Sequence, residues 1–120
     1  MVVDYSLERV DNSPASRHGK FIHILHQNEH IIVMAALKEC HNHKDILQKY
    51  CKLNGLPYNN HTSPASSEAV SVMGGGFWRA EDKVQRLEID GKSLDYGNFD
   101  YSKVVELILN STIYKKYKIG

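Results

Sequence analysis

The chain has 120 residues, of which 42% are hydrophobic and 24% charged, and its formal net charge is +1. These values are typical of a folded globular protein and exclude a disordered or fibrous chain, so we predict one domain over residues 1–120. Every apolar run is too short to span a bilayer, and residues 1–6 lack the features of a secretory signal. We therefore expect a cytoplasmic protein with no membrane partner.

The first part of the chain predicts strands separated by turns. Alternating apolar and polar residues in 5–10 predict a short strand. Turn-forming residues in 11–16, followed by Gly19, predict a reversal of the chain. Two apolar runs, residues 21–25 and 31–37, predict a hairpin of strands that are buried on both faces.

Residues 40–55 have the clearest helical pattern, with apolar side chains recurring every three or four positions. Asn42 is suited to cap the helix N-terminus with Asp45 three residues on, and Gly55 is suited to end it. This places His43 in the first turn, where the helix dipole disfavours imidazolium and keeps the ring neutral near pH 7. A neutral imidazole is a usable base or nucleophile. The alternative is an exposed histidine on a helix surface.

The second half predicts an exposed loop at 59–67 and two strands. The first strand, 69–73, is expected to end at the glycines Gly74–Gly76, and the second covers 84–90 with Leu87 and Ile89 on one face.

A last helix follows, capped by Asp100 or Ser102, and residues 113–119 predict a terminal strand. Strands, a helix, further strands and another helix in so short a chain predict an α/β or α+β fold. We expect a mixed sheet of five or six strands with two helices packed on it.

Residues 90–97 could bind an anion. The segment leaves a strand, contains Gly91, Gly97 and the hydroxyl of Ser93, and precedes a helix. Such a turn can aim backbone N–H groups at one anion, because glycine allows the required backbone angles. It is not a nucleotide P-loop, because Arg86 stands where that motif needs glycine. The alternative is an ordinary turn before a helix.

Two other ligand classes receive less support. The run Cys40 to His43 holds three potential metal ligands in four residues, but no second ligand pair stands at zinc spacing. We therefore expect no metal or other cofactor, and thiols rather than disulfides in a reducing compartment. The near-neutral charge also argues against a nucleic-acid partner. A basic tail keeps that alternative open, and its residues are Lys115, Lys116 and Lys118.

Three patterns occur in a fixed order along the chain: His-x-Asp-Ile at residues 43–46, Gly-Gly-Gly at 74–76, and Gly-x-Ser-x-x-Tyr-Gly at 91–97. Together they resemble the janus/ocnus family of 14 kDa phosphohistidine phosphatases, and the similarity runs along the whole chain. The resemblance implies the fold of that family. It also implies metal-independent hydrolysis of the P–N bond of phosphohistidine, with His43 as general base or nucleophile.

The resemblance also implies a phosphate-binding set. Lys20 opens a Lys-aromatic-aliphatic strand similar to the family's, and the loop supplies backbone and hydroxyl groups. The implied phosphate-binding residues are Lys20, Gly91, Ser93, Leu94 and Asp95. The implied partner is a phosphohistidine-containing protein or a small phosphorylated substrate. The sequence predicts no oligomeric state.

The chain departs from the family pattern at three places. Phe77 follows the triple glycine where the family commonly has arginine, Asp95 replaces a small residue, and the loop at 59–67 is longer. A carboxylate at Asp95 would repel a phosphoryl group if it pointed inward. The longer loop could change substrate access, whereas Asp95 and the missing arginine favour the alternative function, a non-catalytic phosphate-binding, anion-binding or protein-interaction module of the same fold.

Overall fold

One mixed six-stranded sheet organises the structure, a computed structural model that describes residues 1–8 and 16–120. The strands are β1 (Val2–Asp4), β2 (Ser16–His26), β3 (Glu29–Ala36), β4 (Val70–Glu81), β5 (Arg86–Asp90) and β6 (Lys118–Ile119). Their order across the sheet is β1-β3-β2-β4-β5-β6. The β3-β2-β4-β5 pairs are antiparallel, and the edge strands β1 and β6 run parallel to their neighbours.

Two helices, α1 (His43–Leu53) and α2 (Tyr101–Leu109), cover opposite faces of the sheet. Along β3, Ile31 and Val33 pack into the core beneath α1, whereas Ile32 and Met34 pack into the core beneath α2. The predicted hairpin buried on both faces is confirmed, and so is the α+β domain of six strands and two helices. Within residues 1–8 and 16–120, neither helix has the length and apolar character needed to traverse a bilayer.

The predicted helix caps are confirmed. The Asn42 side chain accepts a hydrogen bond from the Asp45 N–H at 3.0 Å, so α1 begins at His43. Of the two candidates at α2, Asp100 is the cap, because its side chain accepts from the Lys103 N–H at 3.2 Å.

The prediction of a strand at residues 5–10 is wrong for residues 5–8, the part that the structure describes. The strand lies earlier, at Val2–Asp4, and residues 5–8 form a 3₁₀ turn. The Ser6 N–H bonds to the Asp4 side chain at 2.9 Å, a local contact that competes with the sheet ladder. Residues 9 and 10 lie outside the described residues.

Gly19 is not in a turn, because β2 already begins at Ser16. A Cβ at Gly19 would lie 1.9 Å from the Ala35 carbonyl oxygen, so glycine is needed there for close strand approach. The remainder of the predicted turn, residues 11–15, lies outside the described residues.

Two predicted strand ends also differ. The triple glycine does not end a strand, since β4 continues through it to Glu81. The strand predicted at 113–119 shrinks to Lys118–Ile119, because residues 112–116 form turns that bury Tyr114 in the core beneath α2.

A buried arginine joins distant parts of the chain. Arg17 is only 6% exposed, and its guanidinium donates two hydrogen bonds of 2.7 Å to Asp82. It also donates to Ser6 Oγ at 2.6 Å and to the Tyr114 hydroxyl at 3.2 Å. The Tyr114 hydroxyl in turn donates to Asp4. This network holds the N-terminal turn, β2, the β4–β5 turn and the C-terminal segment together.

Arg17→Lys is expected to lower the free energy of unfolding by about 2 kcal/mol, because lysine keeps the charge but loses the planar two-pronged contact with Asp82. Urea unfolding measures this. Arg79→Lys is the matched control, since Arg79 pairs with Glu88 at 2.6 Å on the exposed surface, where ion pairs contribute little. Equal losses in the two variants would contradict a structural role for the buried network.

Candidate functional site

A cavity of about 250 Å³ opens beside the N-terminus of α1. It is lined by Lys20, Asn42, His43, Lys44, Phe77, Lys92, Leu94 and Asp95. Three of these side chains are lysines and one is a carboxylate, so the lining carries a net positive charge. The helix dipole adds partial positive charge at the same place. The cavity is therefore suited to a small anion.

His43 lies at this cavity and is almost fully buried, with 3% of its surface exposed. Its Nε2 lies 2.9 Å from the carbonyl oxygen of Gly76. Because a carbonyl can only accept, Nε2 carries the proton and donates, and Nδ1 holds the lone pair. Nδ1 makes no hydrogen bond to any described residue, so it is the ring nitrogen available to a ligand.

The electrostatic surroundings favour the neutral form of His43. Burial lowers the pKa of the ring below its ordinary value of 6.5, and the charge of Lys20 lowers it further. The Gly76 carbonyl and the Asp95 carboxylate act in the opposite direction but do not prevail. The expectation of a neutral ring agrees with this direction, and burial is the largest cause. The alternative of an exposed surface histidine is wrong.

The triple glycine lets the site residues lie directly against the sheet. A Cβ at Gly75 would lie 2.8 Å from His43 Cδ2 and 3.2 Å from Ser93 Cβ, so both side chains pack over this one position. A Cβ at Gly74 would lie 2.1 Å from the Asn98 carbonyl oxygen. Side chains at Gly74 and Gly75 would therefore push away the N-terminus of α1 and the segment that includes Ser93 and Asn98.

The site loop, residues 91–97, is closed by its own hydrogen bonds. Ser93 and Gly97 exchange two backbone bonds of 3.1 and 2.9 Å, and the Gly75 N–H donates to Gly97 at 3.3 Å. The buried Ser93 Oγ accepts from the N–H groups of Asp95 and Tyr96 at 3.1 and 3.0 Å. Four amides of the loop, those of Ser93, Asp95, Tyr96 and Gly97, are thus already used. Within the described residues, the Leu94 N–H has no such partner and is free for an anion.

The loop is also tied to its surroundings by Tyr96. The Tyr96 hydroxyl donates to the Ala65 carbonyl at 2.7 Å, which links the site loop to the long loop at 59–67. That second loop is largely exposed, as expected, and the residues 59 and 66 form a short bridge across it. The tyrosine of the Gly-x-Ser-x-x-Tyr-Gly pattern therefore positions the loop rather than lining the cavity.

The structure brings most of the sequence-predicted site residues together. Lys20, Leu94 and Asp95 line the cavity with His43, although the Leu94 side chain is 95% exposed. Ser93 lies beneath, beside the His43 ring. Gly91 is not part of the lining; a Cβ there would lie 2.4 Å from the Phe77 ring, so its backbone makes room for that ring.

Two cationic residues of the lining were missed by the sequence analysis. Lys44 and Lys92 each occupy the position marked x beside a site residue, in His-x-Asp-Ile and in Gly-x-Ser respectively. A pattern match passes over such positions. The usable signal was positive charge directly next to both His43 and Ser93.

The potential metal ligands in the run from Cys40 to His43 do not point to one place. Cys40 is buried, His41 is exposed, and His43 is turned to the Gly76 carbonyl. In the described part of the chain, no group of three or more histidine, cysteine, aspartate or glutamate residues is placed to hold a metal ion.

The fold and site define an α+β domain with a buried histidine at a cationic cavity. Comparison with family models then finds a match to the Janus/Ocnus family (Ocnus) over residues 8–118. Since the match covers nearly the whole sequence, the chain belongs to the Janus/Ocnus family. No curated protein matches the chain.

Gly75→Ala is expected to displace the His43 ring and to lower the free energy of unfolding by about 1–3 kcal/mol, because the new methyl group overpacks the site. Urea unfolding and the NMR shifts of the His43 ring measure the two effects. Gly120→Ala is the control, because a Cβ there meets only ordinary contact, 3.4 Å from Glu88. An unmoved His43 ring in Gly75→Ala would refute the close packing.

Proposed function

We propose that this protein is a metal-independent phosphohistidine phosphatase that hydrolyses the P–N bond of phosphohistidine. One observation carries the proposal: a buried, neutral histidine with a free Nδ1 stands at a small cavity lined by three lysines. The family membership and the resemblance of residues 43–46 and 91–97 to the family's site patterns support it.

The phosphoryl group would bind in the cavity beside His43. Lys20, Lys44 and Lys92 would offset the negative charge that spreads over its oxygens in the transition state. The free Leu94 N–H and the hydroxyl proton of Ser93 would donate to those oxygens, because Ser93 Oγ uses only its lone pairs within the loop. The lysines would thereby supply charge stabilisation without a metal ion.

His43 would act through Nδ1 in one of two ways. As a general base it removes a proton from water, whose oxygen attacks phosphorus while the P–N bond breaks. As a nucleophile it attacks phosphorus itself, and water later cleaves the phosphorylated His43. In both cases the imidazole of the substrate leaves with the electron pair of the P–N bond and takes up a proton. The Gly76 carbonyl would stabilise the positive charge that the His43 ring gains.

A second candidate function has support in the same cavity. The Asp95 carboxylate lies near enough to raise the pKa of His43 against the effect of burial, and a negative charge there opposes a phosphoryl group. The loop amides of Ser93 and Asp95 are already bonded. Both features weaken stabilisation of the transition state, while the three lysines would still attract an anion, so they favour a module that binds an anion or a phosphorylated protein without hydrolysing it.

We propose a phosphohistidine-containing protein, or a small phosphorylated molecule, as the partner. We further propose the cytoplasm as the place of action. Cys40 and Cys51 are both free, buried thiols, which suits a reducing compartment.

Phosphate release from a phosphohistidine peptide, measured with a chelator present, tests the proposal. His43→Ala is expected to lower kcat by about 10²–10⁴-fold, the usual contribution of a positioned acid–base group. His41→Ala is the matched control, because His41 lies two residues away and is exposed. It is expected to retain the activity of the unmodified protein.

Three outcomes decide between the candidates. Chelator-resistant release that is lost in His43→Ala alone supports the phosphatase. No release by the folded, unmodified protein, combined with tight binding of phosphate, supports the module instead. Full activity in His43→Ala would overturn the role assigned to His43.

A further inference from the structure

Phe77 forms the boundary between two cavities. It lines the cavity of about 250 Å³ beside His43 and also a larger one of about 460 Å³ on the neighbouring surface. The larger cavity is lined by His18, Gly19, Leu37, Phe77, Trp78, Arg79, Glu88 and Asp90. The Phe77 side chain is 38% exposed, which is unusual for an aromatic residue within a central strand. A ligand that extends from one cavity to the other must pass this ring.

The Phe77 ring is held in place by its neighbours. Its centroid lies 5.8 Å from that of His43, with the two rings nearly perpendicular, and 5.4 Å from Lys20 Nζ. In the sheet Phe77 pairs with Lys20 on one side and with Asp90 on the other. Gly91 leaves the space that the ring occupies. Contacts on several sides fix the ring, so it is a preformed wall.

We infer that Phe77 makes the protein selective for phosphorylated substrates whose leaving group is an aromatic ring, as the imidazole of phosphohistidine is. The inference rests on the proposed function, because it concerns the group released from the phosphate beside His43. In-line transfer places the leaving group on the side of phosphorus away from the attacking atom. With attack from the His43 side, the leaving group would lie on the far side of phosphorus, and we place it against Phe77, which lines both cavities.

An aromatic wall distinguishes the possible leaving groups by their shape and charge. When the P–N bond of phosphohistidine breaks, its electron pair stays on the imidazole nitrogen, which takes up a proton. A planar ring packs against Phe77. When its second nitrogen is protonated as well, the ring is an imidazolium, whose positive charge is attracted by the aromatic face. Phosphoramidate undergoes the same P–N cleavage but releases ammonia, which has no ring to pack. Phe77 therefore assists the first reaction more than the second.

The ratio of kcat/KM for a phosphohistidine peptide to kcat/KM for phosphoramidate tests the inference. Phe77→Leu is expected to lower this ratio about tenfold, within the range of aromatic and cation–π contacts. Phe77→Tyr keeps the ring and is expected to keep the ratio. Using a ratio cancels any general effect on Lys20 or His43 that both substrates share. Urea unfolding of each variant shows that the protein measured is folded.

The outcomes separate this inference from the proposed function. A lower ratio in Phe77→Leu and an unchanged one in Phe77→Tyr support the inference. If the unmodified protein hydrolyses both compounds and Phe77→Leu has the same ratio, the inference is overturned and the phosphatase stands. If the unmodified protein hydrolyses neither compound, the proposed function fails and the inference fails with it.

Discussion

The site depends on Gly74–Gly76, three consecutive glycines of β4 that present only backbone. The backbone of Gly75 and Gly76 holds both halves of the site: the Gly76 carbonyl accepts from His43, and the Gly75 N–H donates to the loop at Gly97. His43 and Ser93 meet over Gly75 because no Cβ separates them. Glycine usually weakens a strand interior. Here it allows a helix N-terminus and a loop from distant parts of the sequence to reach one position.

At this position a neutral histidine lies beside positively charged lysines. Burial keeps His43 neutral and Lys20 reinforces the effect, so the lone pair on Nδ1 is available at neutral pH. Lys44 and Lys92 add positive charge at the cavity, which only Asp95 among its lining residues opposes. The same residues therefore attract an anion and keep a base unprotonated beside it. That combination suits phosphoryl transfer more than simple anion binding, for which the buried neutral ring is not needed.

The sequence predicted those parts of the structure that depend on local patterns. The buried hairpin, both helices and the caps Asn42 and Asp100 follow from periodicity and from side chains that bond to nearby backbone. Gly19 and the triple glycine were misread, because close approach by a distant segment has no local signal. Lys44 and Lys92 were missed since their role depends on where α1 and the loop meet. The Arg17 network was missed for the same reason: its partners lie far apart in the sequence.

The central claim is that phosphate binds beside His43, and NMR titration of the histidine rings with and without inorganic phosphate tests it most directly. Without phosphate, the pKa of His43 is expected below 6.5, and bound phosphate should raise it because a nearby anion stabilises imidazolium. His23 is the internal control, since burial also lowers its pKa while its ring bonds to His30 at 2.9 Å. A phosphate-dependent rise at His43 alone supports the account. An unchanged His43, or an equal shift at His23, would contradict it.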